Sequence, residues 1–303
     1  MSGHVMSELG FEGRVALVTG AGGGLGREYA LLLAARGAHV VVNDLGGDVG
    51  GQGASGGAAQ RVVQEILDLG GSAVADTGSV ASPGDAAAMV ARAVETFGRI
   101  DILINNAGIL RDKAFHNMSV EEIDAVLDVH LRGTFYVTRH AWPHMRAASY
   151  GRVVNTSSNS GLIGNFGQSN YGAAKMGIVG LTRVLAQEGA RRGIQVNAVA
   201  PAARTRMTES ILTPQAAEAL EPSRVAPVVA WLAHESCPTT GEVISAGAGR
   251  VARYFVGLTH GFLSRDLTVE TVRDHWDEAR DTGGFIIPDD PGEELALLMK
   301  QWT

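Results

Sequence analysis

The valine-rich run Val15–Thr19 passes directly into Gly20-Ala21-Gly22-Gly23-Gly24-Leu25-Gly26, and no other stretch constrains the fold as much. A short β-branched run fits a strand buried on both faces. Glycines placed between such a strand and a helix let the backbone turn tightly at the strand's carboxyl end. The rhythm then repeats. Apolar runs at His39–Asn43, 72–75, 100–105, 152–157, 194–199 and 242–245 alternate with helical periodicity over 24–36, 58–69 and 85–97. A longer helical region before residue 152 is interrupted near Arg132-Gly133. Strands that alternate with helices make a parallel sheet covered on both faces. The expected fold is α/β, a doubly wound (Rossmann) parallel sheet of seven strands over residues 1–250. Residues 251–303 break the alternation and read as a C-terminal extension of the same domain, with an N-capped helix opening at Leu267-Thr268-Val269-Glu270 and running to about residue 279.

Composition narrows the partners. A net charge of −7 over 303 residues disfavours nucleic acid and anionic membrane surfaces, both of which call for concentrated positive charge. A single cysteine, Cys237, excludes an internal disulfide framework and fits a reducing compartment. Residues 1–10 show no charged-then-apolar order, no long apolar run suggests a membrane anchor, and 300–303 carry no peroxisomal tripeptide. A cytoplasmic location is expected, with no metal. The 40 glycines gather at 20–26, 46–57 and 245–249, and 46–57 reads as a mobile surface loop between a strand and a helix.

Gly20, Gly24 and Gly26 follow a strand and open a helix, where backbone N–H groups can meet a pyrophosphate. About twenty residues later Asp44 ends the second strand, and a carboxylate there accepts from ribose hydroxyls while repelling a 2′-phosphate. With Gly23 where a basic residue would favour NADP, NAD is the expected cofactor. Asn105-Asn106-Ala107-Gly108 ends the fourth strand at the edge where ligands of open α/β sheets bind, and Asn106 is expected against the adenosine ribose.

Tyr171 and Lys175 stand four apart on a predicted helix and so share a face. An ammonium beside a phenol favours the phenolate; a depression of roughly three units from about 10 is worth roughly 4 kcal/mol and makes a proton-transfer device. Ser158 ends the fifth strand and Tyr171 begins the next helix, so two hydroxyls can meet at one substrate oxygen. The neighbouring Ser157 should face the other way.

The combination Thr19-Gly20-x3-Gly24-x-Gly26, Asn105-Asn106-Ala107-Gly108, Ser158-x12-Tyr171-x3-Lys175 and Pro201 with Thr205 resembles the short-chain dehydrogenase/reductase family over about residues 11–250. Asn43-Asp44-Leu45-Gly46-Gly47-Asp48, the stretch 106–112, Val129-His130-Leu131-Arg132-Gly133 and Gly164-Asn165-Phe166-Gly167-Gln168 are similar to the (3R)-hydroxyacyl-CoA dehydrogenase module of peroxisomal type 2 multifunctional enzymes. The hydratase and lipid-carrier modules have no counterpart in these residues, so a stand-alone dehydrogenase is expected.

The resemblance implies that Ser158 holds the substrate oxygen, Tyr171 exchanges its proton, and Lys175 lowers the Tyr171 pKa and binds the nicotinamide ribose. It implies an NAD site formed by Gly20, Gly24, Leu25, Gly26, Asp44, Ser79, Val80, Asn106, Ala107, Gly108, Tyr171, Lys175, Pro201 and Thr205. His130 stands where the family usually has Asn; it reads as a structural hydrogen bond ahead of a water relay to Lys175. Ala202 replaces the customary Gly after Pro201. The implied substrate is an acyl-CoA, with Arg111, Lys113, Arg204 and Arg206 as candidate phosphate contacts and 202–220 as a lid. Helices over 134–145 and 171–187 are those by which the family commonly dimerises, so a homodimer or homotetramer is expected, although their apolar content also fits burial against the sheet. A steroid or other secondary-alcohol dehydrogenase, a 3-oxoacyl carrier-protein reductase (disfavoured by Asp44) and an idle NAD-binding regulator are the alternatives.

Overall fold

The computed structural model describes residues 8–205 and 213–300. Strand β1 (Val15–Thr19) is buried along its whole length because alternate side chains enter two different cores. Ala16 and Val18 join Val40, Ile102, Leu33 and Val229 on one face, while Val15 and Leu17 join Val41, Leu103, Met89 and Val196 on the other. Both faces therefore need cover, and helices supply it. In chain order the main elements are α1 (Gly24–Ala35), β2 (His39–Asn43), α2 (Gly57–Asp68), β3 (Ser72–Asp76), α3 (Pro83–Phe97), β4 (Ile102–Asn105), α4 (Val120–Leu127) and α5 (Gly133–Ala148). Then come β5 (Gly151–Thr156), the single turn α6 (Asn159–Leu162), the long α7 (Ser169–Ala190), β6 (Ile194–Pro201), α8 (Pro214–Ala219), α9 (Ala226–Ala233) and β7 (Val243–Gly247).

With β8 (Arg250–Tyr254) at one edge, the strand order is β3-β2-β1-β4-β5-β6-β7-β8, and the pairs from β3 to β7 are parallel. Connections reverse direction between β1 and β4, which leaves a crevice at the carboxyl ends of these strands. The sheet has eight strands, one more than expected. β8 (Arg250–Tyr254) follows a two-residue turn in which Ala248 (φ 49) and Gly249 (φ 78) are both left-handed, the geometry that suits a tight hairpin. Alanine at the first of these positions, and the exposed face of β8, conceal the hairpin in the sequence.

Local signals fix several ends. Ser82 accepts from Asp85 N and Pro83 opens α3, which closes at left-handed Gly98. Ser119 and Glu122 form a capping box on α4. The interruption expected near Arg132-Gly133 is a π-helical turn over Asp128–Arg132, and Thr134 Oγ1 donates to His130 O at 2.7 Å across it.

The chain divides into two compact units between Arg253 and Tyr254. The second holds a short antiparallel pair, β9 (Leu258–Thr259) with β10 (Phe285–Ile286), and helices α10 (Val269–Asp274), α11 (Trp276–Arg280) and α12 (Pro291–Lys300). Thr268 caps α10 as its sequence indicates, but His275 separates α10 from α11 in what was expected to be one helix.

Candidate active site

At the end of β1 the chain turns through Gly20 (φ 63) and Gly24 (φ 53). A Cβ on Gly20 would lie 2.7 Å from Ala107 Cα, and one on Gly26 would lie 2.3 Å from Gly20 O. Side chains there would displace backbone. Thr19 Oγ1 accepts from the N–H groups of Asn106 (3.0 Å) and Ala107 (3.1 Å). The Asn106 amide donates back to the carbonyls of Thr19 and Gly20, both at 3.0 Å, so this side chain braces the glycine turn. Gly23 caps α1 with no side-chain bond, which leaves the first N–H groups of that helix at the cleft wall for an anion.

Asp44 follows β2 immediately. Its carboxylate accepts from Gly22 N at 2.8 Å and Gly46 N at 2.7 Å. Next to it, buried Asp76 accepts from Asn43 Nδ2 (2.8 Å), Gly78 N (2.9 Å) and Arg92 Nε (3.0 Å), and so sets the loop bearing Ser79 and Val80. A carboxylate ending an apolar strand is the signal that marks Asp76 in the sequence.

Ser158 ends the β5 segment and caps α6, its Oγ accepting from Ser160 N at 3.1 Å and donating to Asn159 Oδ1 at 3.2 Å. Ser157 donates instead to Lys175 O at 3.0 Å, against the backbone of α7. A buried polar ladder holds that helix to the sheet. Asn105 Nδ2 bonds Thr138 Oγ1 (2.9 Å) and Asn155 Oδ1 (2.8 Å), and Asn155 Nδ2 bonds Thr182 Oγ1 (2.9 Å). Lys175, two turns before Thr182, is 3% exposed and donates to Thr156 O at 2.6 Å. Its Nζ lies 5.4 Å from the centre of the Tyr171 ring.

Burial lowers the Lys175 pKa to about 7. Burial also raises that of Tyr171; a hydrogen bond with Ser158 opposes this and the charge of Asp112 adds to it. For the phenol, burial outweighs the neighbouring groups in this arrangement. The Lys175 ammonium is itself disfavoured by burial and is turned towards the Thr156 carbonyl.

His130 is buried, its ring edge-on to Tyr171 at 5.1 Å, and its Nε2 lies 3.0 Å from Ile109 N and 2.8 Å from Ile109 O, accepting from the one or donating to the other according to the tautomer. Burial first, and the Lys175 charge second, hold its pKa well below the usual value, so it is neutral. Among the described residues its Nδ1 has no partner, nor does Thr156 Oγ1.

A single cleft of about 930 Å³ is lined by Gly20, Gly24, Leu25, Asp44, Ser79, Val80, Asn106, Ala107, Gly108, His130, Ser158, Tyr171, Lys175, Pro201 and Thr205. Gly26 lies behind this wall and packs on Gly20. Of the cations considered for phosphate, Arg111 lines the cleft and bonds a backbone carbonyl, Lys113 pairs with Glu122 and Arg204 pairs with Glu221. Arg206 and the middle of the expected lid lie outside the described residues; Ala202 and Leu220 line the cleft.

A glycine turn at the crevice of a doubly wound sheet, with a serine, a tyrosine and a buried lysine converging beside it, defines an oxidoreductase of the dinucleotide-binding class. A model of the short chain dehydrogenase family matches residues 14–216, and the chain belongs to that family. It is 52% identical over 279 residues to mouse peroxisomal multifunctional enzyme type 2, covering 91% of this chain but 38% of the mouse protein. It is also 52% identical over 279 residues to a short-chain type dehydrogenase/reductase of Mycobacterium tuberculosis, covering 92% and 98% of the two chains. The structure of full-length peroxisomal multifunctional enzyme type 2 from Drosophila melanogaster superposes with a TM-score of 0.82 at 41% identity, covering 96% of this chain and 50% of that one. The chain thus spans half or less of these multifunctional enzymes and nearly the whole of the mycobacterial relative.

Proposed function

We propose that the chain is an NAD-dependent dehydrogenase that interconverts a (3R)-3-hydroxyacyl-CoA and the 3-ketoacyl-CoA. The observation that carries this reading is the meeting of Ser158, Tyr171 and Lys175 with Asp44 in one cleft. The glycine cradle, the open N-terminus of α1 and the Asp44 carboxylate suit a pyrophosphate and an unphosphorylated ribose. When bound, NAD supplies the hydride acceptor for the carbinol carbon. Ser158 and Tyr171 hold the substrate oxygen between them, and Tyr171 takes its proton on oxidation and returns it on reduction. Lys175, anchored on Thr156 O, keeps its amino group beside the ring and would hold the nicotinamide ribose.

The acyl-CoA assignment rests on the resemblance of residues 43–48, 106–112, 129–133 and 164–168 set out above. A cytoplasmic setting and a homodimer or homotetramer accompany it. Phe135 on α5, and Met176 and Val184 on α7, are exposed apolar residues on the helices assigned to assembly. Among the described residues no helix is long and apolar enough to cross a membrane.

The test follows NADH absorbance with NAD and (3R)- or (3S)-3-hydroxyacyl-CoA of several chain lengths, with a steroid alcohol alongside. Selective turnover of the R form is expected; turnover of the steroid alone would discard the acyl-CoA substrate and keep the class. Removing the Asp44 carboxylate should relax cofactor choice. Asp44→Ala is expected to lose about tenfold or more of the NAD over NADP preference, read as a ratio of kcat/KM values. An unchanged ratio would remove Asp44 from the ribose site.

A further inference from the structure

The glycine-rich stretch after β2, expected to be a mobile surface loop, is a folded loop with its own hydrogen bonds. Its neck is closed by Ser55 N donating to Leu45 O at 2.9 Å, and Gly46 (φ 78) passes so close that a Cβ there would lie 1.9 Å from Ser55 O. Asp48 organises the tip: its N–H bonds Gln52 O (2.9 Å), its Oδ1 accepts from Gln52 N (2.8 Å) and its carbonyl accepts from Gly51 N (3.1 Å). The tip rests on the segment after β4. Leu110 N donates to Val49 O at 2.9 Å, Arg111 Nε donates to Gly50 O at 3.1 Å, and Ile109 packs under Gly51.

Topology gives these contacts their meaning. β2 and β4 flank β1 on opposite sides, so a loop that leaves β2 and touches residues after β4 must pass over the carboxyl end of β1. The glycine turn lies at that end. Residues 44–49 and 109–112 both line the cleft, one from each side. Arg111 is held on the far bank: its Nη1 reaches Glu121 O at 3.5 Å, and its carbonyl accepts from buried Asn170, next to Tyr171, at 3.1 Å.

We propose that Arg111 is a positioning residue for the dinucleotide, fastening the loop 46–53 across the adenosine end of the cleft so that a bound nucleotide leaves only when this strap is released. The proposal rests on the NAD reading above. Its guanidinium is the part of the latch that mutation can remove, since the Leu110 to Val49 bond is backbone to backbone.

The experiment has two readouts on the full chain. NADH fluorescence gives affinity, and displacement of preloaded NADH by excess NAD gives its release rate. Hydrogen exchange of residues 47–53, measured without nucleotide, reports the strap itself. Arg111→Ala is expected to raise the NADH release rate and Kd about tenfold, the scale of one charge-assisted bond, and to speed exchange at 49–52. Arg111→Lys, which keeps a single donor, should fall between. Gly51→Ala strains a left-handed residue (φ 81) against Ile109, 3.1 Å from the new Cβ, and should shift both readouts in the same direction without touching Arg111. If the wild type binds NADH but both alanine variants release it at the wild-type rate with unchanged exchange, the strap is refuted and the cofactor reading stands. A wild type that does not bind NADH overturns both.

Discussion

Replacing Tyr171 with phenylalanine is expected to lower turnover about 10³-fold or more while NADH affinity stays within a few-fold. Only the hydroxyl is lost. The ring keeps its edge-on contact with His130 at 5.1 Å and its place over Lys175, so the walls of the cleft are retained. Ser158 remains to hold the substrate oxygen, but a serine hydroxyl is not itself a base that can take the proton. The neutral His130 bonds Ile109 and is 2% exposed, which leaves it poorly placed to substitute. The direction of reaction should show the same group. Burial raises the Tyr171 pKa, so at neutral pH the phenol is protonated and suited to donate in carbonyl reduction. Alcohol oxidation needs the phenolate and should therefore accelerate as pH rises, whereas reduction should hold at neutral pH and fall at high pH. Steady-state rates in both directions across pH test this, and near-normal activity in Tyr171→Phe would sink the assignment of the proton carrier.

The sequence disclosed the sheet better than the electrostatics. β1 and β2 are legible because valines fill both faces of each strand, and the ends of α3 and α4 because Ser82-Pro83, Gly98 and the Ser119–Glu122 box act within one turn. Features that depend on distant partners were hidden. The π turn places His130 against Ile109, twenty-one residues earlier, and nothing local announces its form. β8 needs alanine in a left-handed conformation, which residue preference disfavours. The same division runs through the site. Ser158, Tyr171 and Lys175 were readable from spacing, because a strand end and one helix face bring them together. Asp76 and Thr156 were not, since their importance comes from neighbours across strands and from burial. The spacing puts Lys175 beside the ring but cannot tell that the ammonium is almost wholly removed from water, nor that burial raises the Tyr171 pKa.

Lys175→Met should make the protein more stable and nearly inactive at once, and the gain in stability should depend on pH in a defined sense. In the unfolded chain the lysine holds its proton up to its ordinary pKa of 10.5; in the folded protein burial brings this to about 7. Below pH 7 both states are protonated and folding carries the whole cost of burying an ammonium. A shift of that size corresponds to on the order of 5 kcal/mol, at about 1.4 kcal/mol per pKa unit. Methionine removes this cost and fills similar volume, but it leaves Thr156 O without its donor, a loss of about 1–3 kcal/mol. The net expectation at pH 6 is a gain of about 2–4 kcal/mol. Between pH 7 and 10.5 the unfolded wild type binds more protons than the folded one, so wild-type stability climbs with pH and the advantage of methionine shrinks. Turnover should fall at least about 100-fold, because the amino group that lies beside the Tyr171 ring and would hold the nicotinamide ribose is gone. Urea unfolding of both proteins at pH 6 and pH 9 decides the matter. A variant less stable than wild type at pH 6, or a difference that does not narrow at pH 9, would show that Lys175 is buried without strain and that its charge is solvated in the fold. The lysine would then be a stabilising residue, where the structure presents it as one whose charge is held in the cleft at a cost to stability.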